Sequence, residues 1–304
     1  MSYTVEIEDF SAEMLPRATA IMATHFPPGD RLLTEAYHDW LCLQNPFGTA
    51  KVVIVRHGDD WAGFMALVPV RLARGSESLR ACFVVNVLVD PAHQGQSLFG
   101  RMIAVAVEWA RAEGVVLMGH PNAAANPFWQ RKRMHFQEEL QPAVALPKFW
   151  TGELRARKAK SRADLAKAGE ALAAVVAQSP CWKVAATPEF LAWRFLDHPD
   201  NRYVIQIVFE SGNPVGVQVS KRMKPGVHLL IDQFVPSALS SIANCLLPAF
   251  TVQFLPGELL AGRKGRGLQA LRFWKKRVPV FATNFGERIA ADDAAEPLLS
   301  ASDF

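Results

Sequence analysis

The chain has 304 residues and a formal net charge of +4; half of its residues are hydrophobic and a fifth are charged. This composition is typical of a folded globular protein with room for two domains, and it excludes disordered, collagenous and low-complexity chains. The longest apolar stretch, residues 241–261, is interrupted by two prolines and Glu258, and the first ten residues are acidic. We therefore expect no membrane span and no signal peptide, and we expect a cytoplasmic protein.

Neither the basic residues nor the cysteines predict a nucleic acid or a metal partner. The basic surplus is small and dispersed over the second half of the chain, whereas a DNA-binding face usually carries a dense basic stripe. The four cysteines are scattered without a CxxC spacing, which argues against a zinc site and against a disulfide framework. We expect no DNA partner, no metal, and buried thiols at Cys42, Cys82, Cys181 and Cys245.

An internal repeat divides the chain into two copies. The repeated positions, 153 residues apart, are Thr34 and Thr187, Trp40 and Trp193, and Pro46 and Pro199. In each copy a short helix carries the tryptophan, the proline ends that helix, and two β-branched runs around a turn predict a hairpin over 51–71 and 203–221. The sequence predicts two related α/β units, each with a central, mostly antiparallel mixed sheet flanked by helices.

The most informative segment, 81–112, combines a strand, a loop and a helix. A buried-type strand over 82–90 leads through Pro91 into a loop around Gly95, and an amphipathic helix begins near Leu98. The loop amides and the first-turn N–H groups of such a helix lack internal partners, so together they make an anion site that suits phosphate. Gly95 allows close backbone approach, and Ser97 is a candidate helix cap. The loop is neither a Walker loop nor a GxGxxG fingerprint.

Taken in order, these segments resemble the GNAT acyltransferase superfamily. The resemblance covers about residues 1–147 and rests on Val87-Leu-Val-Asp-Pro91, Gln94-Gly-Gln-Ser-Leu-Phe99, Pro121-Asn122 and Phe128-Trp129. It implies a loop that binds the pyrophosphate of acetyl-CoA or another acyl-CoA, and a bulged strand that hydrogen-bonds the pantetheine arm. Gln94 matches the first place of the family loop, while Ser97 replaces its first glycine and Phe99 its last small residue. The implied CoA-binding residues are Val87, Leu88, Val89, Gln94, Gly95, Gln96, Ser97, Leu98 and Phe99.

The resemblance implies a less complete set of catalytic groups. Family members often place a tyrosine, as general acid for the leaving thiolate, where Trp129 stands here, and an indole N–H cannot supply that proton. His120, directly after the fifth predicted strand, is a candidate general base, since imidazole titrates near pH 6.5. Asn122 is a candidate for polarising a substrate group or for capping the following helix. Asn86, on the strand, could bind substrate or make a structural hydrogen bond.

The second copy lacks the features of the first loop. After its strand at 227–235 the chain reads Pro236-Ser-Ala-Leu-Ser240, without glycine and without Gln or Arg in the first place, so we expect a degenerate unit that does not bind CoA in the same way. Between the copies we expect a connecting helix with Ser161 as N-cap and a solvated basic face. The predicted domains are a GNAT-like acyl-CoA-binding domain at 1–147, a linker and connecting helix at 148–178, a second degenerate GNAT-like domain at 179–290 and a flexible tail at 291–304.

The expected function is therefore the transfer of an acetyl or other acyl group from CoA to a primary amine by direct attack on the thioester. The acceptor is expected to be a small-molecule amine. Two alternatives stay open at this point: a non-catalytic CoA-binding or partner-binding relative of the acyltransferases, and a transferase that uses aminoacyl-tRNA and faces it with the basic linker. The sequence does not indicate an oligomeric state.

Overall fold

The structure of the first unit is a five-stranded sheet with three helices. The computed structural model describes residues 2–120, 135–145, 153–179, 182–199, 203–225, 227–236, 239, 250–255, 268–270 and 278–282. The strands are β1 (Tyr3–Asp9), β2 (Lys51–His57), β3 (Asp60–Arg74), β4 (Glu77–Val89) and β5 (Val116–Gly119). The helices are α1 (Leu15–Met22), α2 (Glu35–Cys42) and α3 (Leu98–Glu113).

The remaining elements include those of the second unit. A long strand, β6 (His135–Ala145), comes first. It is followed by β7 (Leu154–Lys158), α4 (Arg162–Ala166), α5 (Gly169–Ala177), β8 (Lys183–Val184), α6 (Pro188–Leu191), β9 (Tyr203–Glu210), β10 (Asn213–Lys224), β11 (Val227–Phe234), β12 (Phe250–Leu255), β13 (Leu268–Ala270) and β14 (Val278–Ala282).

The two units have the same strand order and the same strand directions. In the first unit, β1 to β4 are successive antiparallel neighbours, and β5 joins β4 in parallel. In the second unit, β7, β9, β10 and β11 are successive antiparallel neighbours, and β12 joins β11 in parallel. Strand β14 lies between β5 and β6, and β6 also pairs with β12, so one sheet runs through both units. The predicted fold class, a mixed α/β fold with two related units, is confirmed.

Each tryptophan helix begins at the repeated threonine. The Thr34 hydroxyl accepts a hydrogen bond from the Tyr37 amide at 3.2 Å, and the Thr187 hydroxyl accepts one from the Phe190 amide at 3.2 Å. These are N-cap bonds, which satisfy backbone donors that a helix leaves without partners. Helix α6 continues after Leu191 as a π-helical turn over Ala192–Leu196. The local structure therefore follows the sequence repeat at both N-caps.

The two repeated tryptophans join the units to each other. The indole N–H of Trp40 donates to the carbonyl of Trp193 at 2.8 Å, and the indole N–H of Trp193 donates to the carbonyl of Trp40 at 2.8 Å. Their rings stack with centroids 5.2 Å apart, and both residues are buried. Each tryptophan donates a hydrogen bond to the backbone of its counterpart and accepts the same bond in return. The two helices are therefore related by a local two-fold axis, as in an isologous dimer interface. Both tryptophans are thus packing residues at the contact between the two units.

A repeated bulge explains a repeated glycine. An extra residue lies on β3 at Ala62 and on β10 at Val215, which are equivalent positions, and a glycine follows each one. A Cβ on Gly216 would lie 2.1 Å from the carbonyl oxygen of Phe234, and a Cβ on Gly63 would lie 2.9 Å from Cγ2 of Val55. Both positions therefore need a residue without a side chain, because the neighbouring strand approaches too closely.

The region between the copies differs from the expectation of a linker and helix. Residues 154–158 form the edge strand β7, which pairs with β9, so Arg155, Arg157 and Lys158 lie on a strand and not on a helix face. Helix α4 does begin after Ser161, whose hydroxyl accepts a hydrogen bond from the Asp164 amide at 3.1 Å. The β8 strand pairs with β3 of the first unit. The division of the chain at residues 147 and 178 stays a prediction.

Two of the four cysteines lie in the described residues and are buried as predicted. Cys42 and Cys82 are buried free thiols, whereas Cys181 and Cys245 lie outside the described residues. In the ranges of the chain described above, no helix combines the length and the apolar character that crossing a membrane requires. The predicted C-terminal tail also lies outside those ranges.

Candidate functional site

Strand β4 leaves its neighbour β5 partway along its length. It pairs with β3 from Glu77 to Val89, but with β5 only at 81–83, opposite Val116–Met118. At Asn86 the backbone takes a left-handed conformation with φ of 53°, and the β3–β4 register shifts there. This is a β-bulge, which bends the strand and increases its twist. Among the described residues, the edge of 84–89 that faces β5 carries no pairing, so its backbone groups are open to an added extended ligand.

The loop after β4 presents backbone amides next to the start of α3. A short 3-10 turn over Pro91–His93 is capped by Asp90, and Gly95 then has φ of 81°. The amide of Arg101 donates to the carbonyl of Ser97, so the amides before Arg101 precede the first i to i−4 bond of the helix. A Cβ on Gly95 would meet nothing within 4 Å, so the loop has open space on that side. The loop therefore has the geometry of the predicted anion site.

Ser97 has a different role from the predicted cap. It occupies the N-cap position of α3, but its side chain makes no capping hydrogen bond, and its backbone is left-handed with φ of 56°. A serine in this conformation carries a strain that glycine would avoid. Ser97 thus contributes a left-handed backbone turn to the loop. The family pattern has glycine at this position, which adopts the same conformation without strain.

The other predicted binding residues divide into buried and exposed sets. Leu88, Val89 and Leu98 are buried in the core, so only their backbone groups can meet a ligand. Val87 and Phe99 are half-buried and pack against the α3 face of the sheet. The remaining loop residues are exposed, and the Gln94 amide donates back to the carbonyl of Val89 at 3.2 Å. The structure thus brings all nine predicted residues to the end of β4 and the start of α3.

Tyr3 and His57 join this site, although sequence reasoning did not find them. The Tyr3 hydroxyl lies 3.1 Å from Nδ1 of His93, and the rings of His57 and His93 have centroids 5.1 Å apart. A guanidinium nitrogen of Arg101 donates to the Tyr3 carbonyl at 3.0 Å. These contacts fasten the loop and α3 to the outer strands β1 and β2. Tyr3 lies ninety residues before His93 in the chain, so no local sequence pattern indicated this contact.

The predicted catalytic residues are only partly described. His120 directly follows β5 and is half-buried, with its Nδ1 inside the protein. Asn122 and Trp129 lie outside the described residues, so their predicted roles stay predictions. Tyr37, on α2, lies below the bulge of β4, and burial raises the pKa of its hydroxyl to about 12. Sequence reasoning did not place Tyr37 at the site.

A separate cavity lies at the far end of α3. It has a volume of about 210 Å³ and is lined by residues that include Lys51, Arg71, Arg80, Cys82 and Trp109. These residues surround the beginning of β4 and the C-terminal half of α3, whereas the loop is at the opposite end of both elements. We place the functional site at the loop and the 84–89 edge of β4, because the backbone groups there have no strand partner on the β5 side among the described residues.

Comparisons with known proteins indicate which family the first unit resembles. Residues 16–136 match the model of the acetyltransferase (GNAT) family, which spans β2 to β5 and the whole strand, loop and helix segment. The sequence matched none of the curated proteins with which it was compared. Residues 16–136 are therefore similar to the GNAT acetyltransferases, and the predicted resemblance to this family is confirmed over that segment.

Solved structures show that the resemblance extends over both units. The fold is similar to a GCN5-related N-acetyltransferase from Anabaena variabilis, with a TM-score of 0.66, 12% identity, and coverage of 92% of this chain and 72% of that one. It is similar to one from Kribbella flavida, with a TM-score of 0.62, 14% identity, and coverage of 92% and 71%. A tandem GNAT protein from the clavulanic acid biosynthesis pathway has a TM-score of 0.54, 12% identity, and coverage of 93% and 99%. The tandem form predicted from the repeat is thus shown; the predicted degeneracy of the second loop falls mostly on residues outside the described ranges.

Proposed function

We propose that the protein transfers an acetyl or other acyl group from CoA to the primary amine of a small molecule. The acyl-CoA supplies an activated thioester. The amine nitrogen, after losing one proton, attacks the thioester carbonyl carbon; the C–N bond forms, the C–S bond breaks, and the CoA sulfur leaves as a thiolate that takes up a proton. The work of the protein is to align the two substrates, remove the proton and stabilise the carbonyl oxygen.

The observation that supports CoA binding is the open edge of β4 followed by the loop at Gly95. An extended pantetheine arm carries amide groups that can pair with the free backbone groups of 84–89, as an added strand would. The pyrophosphate at its end would then reach the amides of 95–98 and the positive end of the α3 dipole. The arrangement suits acyl-CoA because the strand edge that would bind the pantetheine arm is followed directly along the chain by the amides that would bind the pyrophosphate.

The proton chemistry falls to side chains near the end of β5. We assign His120 as the base that takes a proton from the acceptor, and Asn122 as a group that polarises the substrate. A half-buried imidazole at the end of a strand can exchange its proton with solvent. The leaving thiolate needs no strong acid if solvent reaches it, which is compatible with tryptophan at position 129.

The second unit supports an acceptor cleft formed by both copies. Nη1 of Arg31, in the segment between α1 and α2, lies 3.2 Å from Nε2 of His198 in the second unit. The buried Arg194 of the second unit stacks over the Trp40 ring at 5.8 Å. We therefore propose that the second copy completes the acceptor side and does not form a second CoA site.

Calorimetry with acetyl-CoA tests this proposal. We expect the wild-type protein to bind with micromolar affinity and Gly95→Asp to bind much more weakly. A carboxylate about 5 Å from the pyrophosphate costs about 2 kcal/mol, which is roughly thirtyfold in Kd. Gly95→Asn is the matched control, because it has the same size and the same left-handed backbone but no charge. Equal losses for both variants, or no binding by the wild type, would contradict the assignment of this loop.

Turnover is tested separately with a panel of primary amines. Released thiol is measured with acetyl-CoA and each amine in turn. We expect transfer to at least one amine above the uncatalysed rate, and loss of that rate in His120→Gln with acetyl-CoA affinity retained. Binding of acetyl-CoA without transfer to any amine of a broad panel would favour the non-catalytic alternative.

A further inference from the structure

Two buried polar groups, the side-chain amide of Asn86 and the hydroxyl of Tyr37, lie close together under the bulge of β4. The Nδ2 atom of Asn86 and the hydroxyl of Tyr37 are both enclosed, and within the described part of the chain neither has a hydrogen-bond partner. The Asn86 amide is close enough to lower the pKa of Tyr37 slightly, yet it does not meet it in hydrogen-bonding geometry. Buried polar atoms without partners are uncommon in folded proteins and often mark functional sites.

Tyr37 is held rigidly and stays protonated. It is fully buried on α2, one turn after the Thr34 cap, and its ring contacts the rings of His38 and Trp40 at 5.3 and 5.8 Å. Burial raises its pKa to about 12, and the charges of Arg31 and Arg194 only partly oppose this. The group is therefore a neutral hydroxyl at physiological pH and not a base.

Asn86 connects this interior position to the open edge of the strand. The residue is only partly buried, and its φ of 53° is one that asparagine tolerates better than most residues. It stands in the bulge, directly before the predicted pantetheine-binding residues 87–89. Its side chain therefore begins where the thioester end of a CoA arm on this edge would lie.

We propose that Asn86 hydrogen-bonds the attacking amine and that Tyr37 is a positioning residue that decides which end of the Asn86 amide faces the cleft. This inference rests on the proposed function. A primary amide donates from its nitrogen and accepts through its oxygen, so the two orientations differ in chemistry. A small rotation of the Asn86 side chain would let Nδ2 donate a hydrogen bond to the buried phenol oxygen, and Oδ1 would then face the cleft and accept one from the N–H of the acceptor. The amine is then aligned with the thioester carbonyl.

The role of Tyr37 makes a specific prediction about Tyr37→Phe. Phenylalanine keeps the packing but removes an enclosed hydroxyl, so the melting temperature should stay equal or rise. Acetyl-CoA affinity should change less than twofold. The rate of acetyl transfer to hydroxylamine, used as a minimal amine probe, should fall about tenfold in kcat, because the Asn86 amide loses its preferred orientation. A purely structural tyrosine would produce the first two results without the third.

A double-variant cycle tests whether Tyr37 acts through Asn86. Asn86→Gly removes the amide and accepts the left-handed backbone, so it should also lower kcat without unfolding the protein. In the Asn86→Gly background, Tyr37→Phe should have no further effect, since no amide remains to be oriented. Tyr203→Phe, which removes the hydroxyl of another buried tyrosine, is the control and should keep the wild-type rate.

Three results would overturn the proposal. Wild-type kcat in Tyr37→Phe would show that the hydroxyl has no part in the reaction. Equal kcat losses from Tyr37→Phe in the wild-type and Asn86→Gly backgrounds would show that it does not act through Asn86. A wild-type protein that neither binds acetyl-CoA nor acetylates hydroxylamine would refute the proposed function, and this inference would fail with it. The first two results leave the proposed function standing.

Discussion

Replacing either repeated tryptophan by phenylalanine should destabilise the protein by a similar amount. Trp40→Phe and Trp193→Phe each remove one buried indole N–H that donates to a backbone carbonyl at 2.8 Å. The two residues make the same contact to each other, so the two losses should match. This prediction follows from the local two-fold relation of the units and not from either residue alone.

The expected magnitude is about 3 kcal/mol for each variant. Losing the hydrogen bond and leaving its carbonyl without a partner costs about 1–2 kcal/mol. The smaller ring buries roughly 50 Å² less apolar area, which costs about 1 kcal/mol, and the cavity that remains adds to it. Because the rings stack at 5.2 Å, the double variant should lose about 1 kcal/mol less than the sum of the single losses.

Urea unfolding followed by circular dichroism measures these differences. Trp61→Phe is the matched control, because Trp61 is also buried and stacks on Phe64, but its indole N–H has no hydrogen-bond partner in the described residues. It should cost about 1 kcal/mol or less, since an unsatisfied donor is removed. Unequal losses, such as more than 3 kcal/mol for Trp40→Phe and less than 0.5 kcal/mol for Trp193→Phe, would refute the symmetric interface.

Two further predictions concern the repeated glycines and a buried histidine. Gly216→Ala should lower the melting temperature more than Gly63→Ala. The Cβ added at Gly216 would meet a backbone oxygen at 2.1 Å, whereas the Cβ added at Gly63 would meet side chains that can move. Equal melting temperatures for the two variants would contradict this explanation. Burial lowers the pKa of His38 to about 4, below the model-peptide value of 6.5, so the unfolded chain takes up the proton first as the pH falls. The stability from neutral His38, about 3 kcal/mol, is therefore complete above pH 6.5 and is lost between pH 6.5 and 4. Urea unfolding at pH 7 and pH 4 measures it, and His38→Gln should show a shallower pH dependence; identical slopes would contradict the assignment.

Much of the local structure could be predicted from the sequence because its causes are local. The threonine caps lie three residues before the amides they bind, and the hairpins are built around Gly, Asp and Asn turns. The glycine at 95 is needed where φ is 81°. The expectation at residues 154–158 failed because alternating basic residues fit an exposed helix face and an edge strand equally well, and pairing with β9 decided between them.

The candidate site also has one part that the sequence predicted and one part that it did not. The strand, loop and helix that would hold CoA are continuous in the chain, so their spacing was enough to predict an anion site. Tyr3, His57 and Tyr37 reach the same region from three other elements, and no local pattern marks them. Ser97 was misassigned as a cap because serine is a common N-cap, while its left-handed backbone depends on how the loop turns.

The sequence by itself determined that this protein is built from two related units and that the first resembles a GNAT acetyltransferase in its strand, loop and helix segment, because repeated residues and a short motif need no knowledge of distant contacts. Only the tertiary structure decided that β14 lies between β5 and β6, that Trp40 and Trp193 bond reciprocally, and that Tyr37 lies beneath Asn86. These features join residues far apart in the chain, and packing of the whole core selects them over other pairings that the same local patterns would allow.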